Sequence, residues 1–379
     1  MKFNTKTIHG GQKLDPAFNS VMQPIYQTST YAQKSPGNNK GYEYSRTHNP
    51  TRTALQNSFA SLENAKYGIA FASGLAAIDS ILKLLSPGDE VISTSDLYGG
   101  TYRLFVKVFE KYGIKFHFTQ MYNLNDLSSL INENTKVIWL ETPTNPMINV
   151  YDIEAISKIS KKHEICLVVD NTFASPWACN PLSLGADLVI HSTTKYLGGH
   201  SDIIGGAVVG SKEHIENIFH RKVHFGGNAD PNSCFLLERG MRTLHVRMPQ
   251  ICDNAAELAK RLDAHPMIER VNHPSLSSHP QYAVAQRIMP RGTGMIGFVV
   301  KGGDDAALSF MRGLEMIYEA TSLGGVESLV ECPFNSSHMM IPEDVRHAAG
   351  LVPGYVRMSI GIEDIEDLWA DIERGFANV

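Results

Sequence analysis

The 379-residue chain has five cysteines and only three tryptophans. Cys166, Cys179, Cys234, Cys252 and Cys332 are odd in number, widely scattered and never spaced C-x-x-C. That excludes a disulfide framework and a zinc ribbon, and it predicts a reducing, cytoplasmic setting. Basic residues are not in excess. Lys+Arg number 34 against 39 Asp+Glu, a formal charge of −5, where a nucleic-acid binder carries a basic stripe. No run approaches the roughly 20 apolar residues that cross a bilayer. Met1–Gly11 lacks the apolar core of a signal peptide. Fifteen histidines include no H-E-x-x-H pair, so no metal is expected. Repeats and low-complexity tracts are also absent.

What remains is a hydrophobic fraction of 43%, enough for a large core over two or three domains at roughly 100–200 residues each. Residues 6–52, rich in Gly, Pro, Asn and Tyr, read as an irregular arm. Beyond it, short β-branched or apolar runs (Ile69–Ala72, Glu90–Ser93, Lys115–Thr119, Lys136–Glu141, Ile165–Asp170, Leu188–His191) alternate with helical spacing at Ala54–Leu62, Leu75–Leu85, Leu104–Lys111, Leu124–Asn132 and Ile153–Lys162. Such alternation predicts βαβ units and a mostly parallel, doubly wound sheet. Near Gly240 the texture changes to a long helix around Arg247–Ala264, strands near Met295–Val300 and Val356–Ile360, and a last helix at Ile365–Gly375. The expected organisation is an irregular arm at 1–48, an α/β domain at 49–240 and a smaller α+β domain at 241–379.

In open α/β sheets, ligands bind beyond the carboxyl ends of the strands. Four predicted strand ends carry polar groups there: Ser73-Gly74 opening a helix, Glu141-Thr-Pro-Thr-Asn-Pro146, Asp170-Asn-Thr172, and Ser192-Thr-Thr-Lys195. Together they supply what pyridoxal phosphate needs. Lys195 offers an amine for covalent attachment, and Asp170 a carboxylate to keep the pyridine nitrogen protonated. Ser73-Gly74 at a helix N-terminus can hold a phosphate, with the hydroxyls of Ser192 and Thr194 adding contacts. Taken singly, each piece has an ordinary structural explanation; a strand-end lysine is usually solvated, and Ser-Gly before a helix is usually just a cap. The conjunction carries the weight. Ser192-x-x-Lys195 also matches the S-x-x-K of serine β-lactamases, but the S-D-N and K-T-G strings they need are missing, as is G-x-S-x-G.

Tyr42-Glu-Tyr-Ser-Arg46 with Asn49-Pro-Thr-Arg52, Ala72-Ser-Gly-Leu-Ala-Ala77, Asp96-Leu-Tyr-Gly-Gly100, Glu141-Thr-Pro-Thr-Asn-Pro146, Val168-Val-Asp-Asn-Thr-Phe173, Ser192-Thr-Thr-Lys-Tyr196 with Gly199-His-Ser-Asp202, Ser322-Leu-Gly-Gly-Val-Glu-Ser328 and Val356-Arg-Met-Ser-Ile-Gly361 follow one another through nearly the whole chain. In that order they resemble the cystathionine γ-synthase/γ-lyase family of Cys/Met-metabolism enzymes. The resemblance implies an α/β, fold-type I, aspartate-aminotransferase-like architecture with a mostly parallel seven-stranded sheet. It implies pyridoxal 5′-phosphate, small amino-acid substrates, and a homotetramer built from dimers that share sites. Lys195 is then the cofactor lysine and proton carrier, Asp170 the ring-nitrogen partner, and Tyr98 the aromatic on the ring face. Gly74, Leu75, Ser192 and Thr194 resemble the phosphate cradle, Thr172 a further cofactor contact, and Tyr44 and Arg46 the pair reaching a neighbour's phosphate. Arg357 resembles the clamp for the substrate carboxylate, and Asn145 and Ser322 resemble ring-oxygen and lysine-orienting contacts.

The implied chemistry is γ-lyase or γ-synthase action on cystathionine or an activated homoserine. A cystathionine β-lyase or cysteine/homocysteine desulfhydrase is the alternative on this scaffold, and a non-catalytic cofactor-binding protein the alternative of another class. Gly100 stands where methionine γ-lyases carry cysteine, and Leu323 where bacterial β-lyases show tryptophan. Glu43 and Arg103 are candidate contacts to the distal half of a long substrate. Thr321 replaces an acidic residue before Ser-Leu-Gly-Gly, and Ser336-Ser-His338 departs from the family's Met-Thr-His.

Overall fold

The computed structural model describes every residue except 337, 338 and 340–342, so the departure noted at His338 lies outside the described residues. Seven strands form the larger sheet: β1 (Tyr67–Phe71), β2 (Glu90–Thr94), β3 (Lys115–Thr119), β4 (Thr135–Glu141), β5 (Cys166–Asp170), β6 (Leu188–Ser192) and β7 (Gly206–Gly210). Their spatial order is β1-β7-β6-β5-β4-β2-β3. Only β7 runs against its neighbours, β6 and β1; every other pairing is parallel. The strands are apolar and β-branched because helices cover both faces. Alternate residues divide between two cores: Val137, Trp139 and Val168 pack with Ile78, Ile81 and Phe105, whereas Ile138, Leu140, Leu167 and Val169 pack with Ile153 and Ile156.

The second sheet contains β8 (Ile268–Asn272), β9 (Met295–Val300), β10 (Tyr318–Glu319), β11 (Leu329–Glu331) and β12 (Tyr355–Ser359), ordered β10-β11-β12-β9-β8. The helix Leu244–Asp263 joins the two layers. Leu244, Met248, Ile251 and Cys252 lie in the core under the large sheet, while Ala255, Leu258, Ala259 and Leu262 lie in that of the second. Its buried positions recur every three or four residues, so one apolar stripe serves both cores. Truncating Leu258, fully buried in that stripe, would cost about 2–5 kcal/mol.

Four differences from the sequence reading have physical reasons. The arm begins with a short helix, α1 (Phe3–His9), rather than being irregular throughout; buried Thr7 bonds His245 Nδ1 at 2.8 Å and docks it. Helix α2 (Pro50–Leu62) starts earlier than periodicity suggests, because Asn49 Oδ1 accepts the Thr51 N–H and Pro50 is preset for a first turn. Helix α3 (Gly74–Leu82) is followed by α4 (Gly99–Lys107) and a separate 3₁₀ turn at Phe109–Tyr112, where spacing predicts one helix over 104–111. Gly99 and Gly100, ahead of the predicted start at Leu104, form the first turn of α4. The antiparallel β7 was masked by the glycines around it, which reads as punctuation rather than strand.

Candidate active site

Parallel pairing places Glu141 of β4 opposite Asp170 of β5, and Asp170 beside Ile190 of β6. The loops beyond these ends enclose a cavity of about 520 Å³. It is lined by Ser73, Gly74, Leu75, Tyr98, Arg103, Asn145, Asp170, Thr172, Ser192, Thr194, Lys195, Ser322 and Arg357, residues that belong to both layers of the fold. All of these were singled out from sequence. Three other residues singled out from sequence, Tyr44, Arg46 and Glu43, lie on the arm and do not line the cavity of their own chain. The Arg46 guanidinium sits 5.6 Å from the Tyr44 ring and donates to Val223 O at 3.0 Å, and Glu43 accepts from Gln33 Nε2 at 3.0 Å.

Lys195 follows β6 in a tight turn, with its backbone N–H on Ser192 O and its carbonyl accepting from Gly199. Its Nζ lies 2.6 Å from Ser322 Oγ. Burial, helped by the nearby Arg357 and opposed by Glu331, pulls the amine down to about 8. An amine that is substantially neutral near pH 8 is the nucleophile a carbonyl group requires. Ser322 carries its hydroxyl there from a backbone at φ 103°, a strained setting for a non-glycine residue. Gly324, at φ +78°, lets this loop lie on the lysine segment; a Cβ there would come 2.7 Å from Tyr196 N.

Asp170 is buried, and burial raises it; the Thr172 hydroxyl and N–H, donating to Oδ1 at 2.6 and 3.0 Å, oppose the rise. Among the described residues no Lys or Arg pairs with it. Such a carboxylate is completed by a cationic ring nitrogen. At the other end of the cavity, Ser73 Oγ caps α3 by accepting from Ala76 N at 3.1 Å, which leaves the first N–H groups of the helix for an anion. A Cβ on Gly74 would stand 3.1 Å from Ser192 Cβ, so glycine permits the helix to meet the β6 hydroxyl. The Thr194 hydroxyl bonds the Gly205 backbone on both its donor and acceptor sides. An amine, an uncompensated carboxylate and an anion cradle around one cavity fit pyridoxal phosphate.

Three functional positions escaped the sequence reading. Glu141 was part of a quoted string but had no role; its Oε2 accepts the Tyr98 N–H at 2.9 Å and its Oε1 the Asn145 N–H at 2.7 Å, so one buried carboxylate orients both. Burial and then Asp170 push Glu141 well above the usual carboxylate range. Glu331 Oε1 lies 2.9 Å from Arg357 Nη2, each side chain only 4% exposed. The guanidinium also donates to Asn145 Oδ1 at 2.7 Å and Ser322 O at 3.1 Å. Gly100, read as a specificity marker, has a steric role too: a Cβ there would come 2.3 Å from Tyr98 Cε1. Phe173 completes the set, its ring 5.9 Å from the Arg357 guanidinium. His220 and His224, four apart on the helix Lys212–Phe225, form an i,i+4 pair, but among the described residues no three metal-binding side chains converge.

The family model for Cys/Met metabolism PLP-dependent enzymes matches residues 4–377. The chain belongs to this family. It is 45% identical to a cystathionine β-lyase of Coxiella burnetii over 373 residues, covering 98% of this chain and 96% of that one. It is 43% identical to a cystathionine γ-lyase of Bacillus subtilis over the full length of both. The solved cystathionine γ-lyase of Lactobacillus plantarum complexed with L-serine superimposes with a TM-score of 0.98 at 41% identity, covering 100% of this chain and 99% of that one. The fold-type I architecture and pyridoxal phosphate as cofactor follow from membership, and the enzyme is a cofactor-dependent carbon–sulfur lyase of sulfur amino-acid metabolism. Among the described residues no helix is long and apolar enough to cross a membrane.

Proposed function

We propose that this enzyme cleaves the Cγ–S bond of cystathionine, consuming water and yielding cysteine, 2-oxobutyrate and ammonia. The observation that carries the reading is the placement of the Lys195 amine beside Ser322, in one cavity with the Arg357–Asn145 pair. Bound at this site, pyridoxal phosphate supplies the electron sink for the pair released at the substrate's α-carbon. Asp170, steadied by Thr172, would hold its ring nitrogen, Gly74, Leu75, Ser192 and Thr194 its phosphate, and Tyr98 would pack against the ring.

Arg357 takes the substrate carboxylate, aided by Asn145. A planar fork already fixed by Glu331 and the Ser322 carbonyl loses little freedom on binding. Lys195 Nζ, steered by Ser322 Oγ, removes the proton from Cα and then one from Cβ, which γ-cleavage requires and β-cleavage does not. The Tyr98 hydroxyl is placed to donate a proton to the leaving sulfur. Arg103 faces the distal half of the substrate from the cavity wall, and Glu43 of a second copy does so from the arm.

Beyond Ser322, Thr321 gives the cavity wall a neutral side chain. This favours a second reading, in which β-cleavage to homocysteine, pyruvate and ammonia competes, as the name of the Coxiella relative suggests. Synthesis from an activated homoserine and cysteine uses the same groups. Incubating the holoenzyme with cystathionine and identifying the keto acid decides: 2-oxobutyrate supports γ-cleavage, pyruvate replaces it with β-cleavage. O-Succinylhomoserine plus cysteine tests synthesis.

We also infer a homotetramer of site-sharing dimers in the cytoplasm, with 1–48 as the exchanged arm, 49–240 as the cofactor domain and 241–379 as the smaller domain. The arm exposes Phe18 at 88% and Val21 at 82%, apolar surface suited to a second copy.

A further inference from the structure

Next to the cavity floor, the carboxylate of Glu63 is completely buried. Glu63 is the C-cap of α2, more than a hundred residues before the strand ends it meets, and no motif marks it. Its Oε1 accepts from two sides, from His191 Nε2 at 2.6 Å and from Asn171 Nδ2 at 3.1 Å. Asn171 immediately follows Asp170, and His191 immediately precedes Ser192. One oxygen therefore ties the residue after the β5 carboxylate to the residue before the β6 hydroxyl. Thr172 makes the other tie between the same strand ends, its Oγ1 bonding Asp170 Oδ1 at 2.6 Å and accepting from Ser192 N at 2.9 Å.

Glu63 Oε2 has no hydrogen-bond partner among the described residues. Burying a carboxylate with one oxygen unsatisfied costs free energy, and an apolar side chain of similar size would often serve stability as well or better. The acid is accounted for by what it holds. We propose that Glu63 is a positioning residue for the cofactor: by bonding Asn171 and His191 at once, it fixes the spacing between the ring-nitrogen carboxylate and the phosphate-binding hydroxyl. This rests on the assignment of Asp170 and Ser192 made above. The pyridine ring and its phosphate are joined by a link of only one methylene and one oxygen, so a site that grips both ends must keep its own span within narrow limits.

The test compares holoenzymes of the parent, Glu63→Gln, Asn171→Ser, Asp170→Asn and the Glu63→Gln/Asp170→Asn double variant. The readouts are the visible absorption band of the cofactor and its rate of release on dilution. Glu63→Gln keeps the volume and an oxygen for both donors, but it removes the charge that strengthens both bonds and buries an NH2 where Oε2 has no partner. Leaving a buried donor unpaired predicts cofactor release at least about tenfold faster, with a shifted band. Asn171→Ser, which removes one strut, should move both readouts the same way and decides the matter alone if Glu63→Gln does not fold. If Glu63 works through Asp170, the double variant falls short of the product of the single effects. Parent-like release in both Glu63→Gln and Asn171→Ser overturns the proposal. So does fast release with an unmoved band and full additivity, which is what general loosening would give. If Asp170→Asn itself leaves band and release unchanged, the assignment of Asp170 fails instead.

Discussion

Lys195 Nζ lies 2.6 Å from Ser322 Oγ, joining the turn after β6 to a serine held at φ 103°. The amine comes from the large sheet and the hydroxyl from the loop joining β10 to β11 of the second, so the reacting group is aimed by both. Ser322→Ala should leave cofactor content and KM close to the parent while lowering kcat by roughly tenfold or more, the loss of one oriented proton-transfer contact. Steady-state kinetics check this; an unchanged kcat removes Ser322 from the reaction.

Lys195→Ala takes away the amine itself. The purified variant should lack the yellow absorption of the lysine-bound cofactor and show no turnover of cystathionine. A spectrum identical to the parent's would end the assignment of Lys195.

Arg357 is fixed by Asn145, Glu331 and the Ser322 carbonyl before any substrate arrives. Arg357→Lys replaces a bidentate fork with a single ammonium and should raise KM for cystathionine about 10- to 100-fold, with the cofactor spectrum intact. A KM within twofold of the parent's contradicts the carboxylate clamp.

Arg46 and Tyr44 project from the arm with no role in their own chain's cavity. If a second copy receives them, Arg46→Ala should weaken cofactor retention by about tenfold, without changing a monomer-level property such as the tryptophan fluorescence of the folded chain. Equal cofactor affinity in variant and parent rules out the shared site.

Asp96 is buried, and burial raises its pKa to about 7 against the bonds from Thr144 and Asn149. In the unfolded chain an aspartate titrates near 3.9. The folded state therefore holds a proton that the unfolded state has lost between about pH 4 and 7. The associated stability is complete below about 4 and disappears as pH rises through 7, a loss on the order of 4 kcal/mol at most. Asp96→Asn should flatten that part of the Tm-versus-pH curve. An unchanged curve places the titration elsewhere.

Much of the site is legible in the sequence because strand order and strand ends are local. β4, β5 and β6 are short apolar runs, each followed at once by a polar string, and parallel pairing necessarily brings Glu141, Asp170 and Lys195 to one edge. A helix start is legible where Ser73 caps it, whereas the start of α2 after Asn49 lies four residues ahead of the apolar spacing. Where glycine serves packing rather than a turn, the reading fails. In the first turn of α4, Gly100 leaves the space the Tyr98 ring occupies, and Gly206–Gly210 is a full strand paired on both sides.

The sequence by itself determined the cofactor class, the lysine and the carboxylate, since that chemistry requires particular residue types just past particular strands. Only the tertiary structure decided which buried acids hold them. Glu63 and Glu331 carry no local signal, and the strand end at Glu141 gives its place but not its role, because a buried carboxylate is defined by the donors that meet it. The long helix Leu244–Asp263 shows the same division: its periodicity predicts a helix, but only its packing into both cores fixes Arg357 and Ser322 against Lys195.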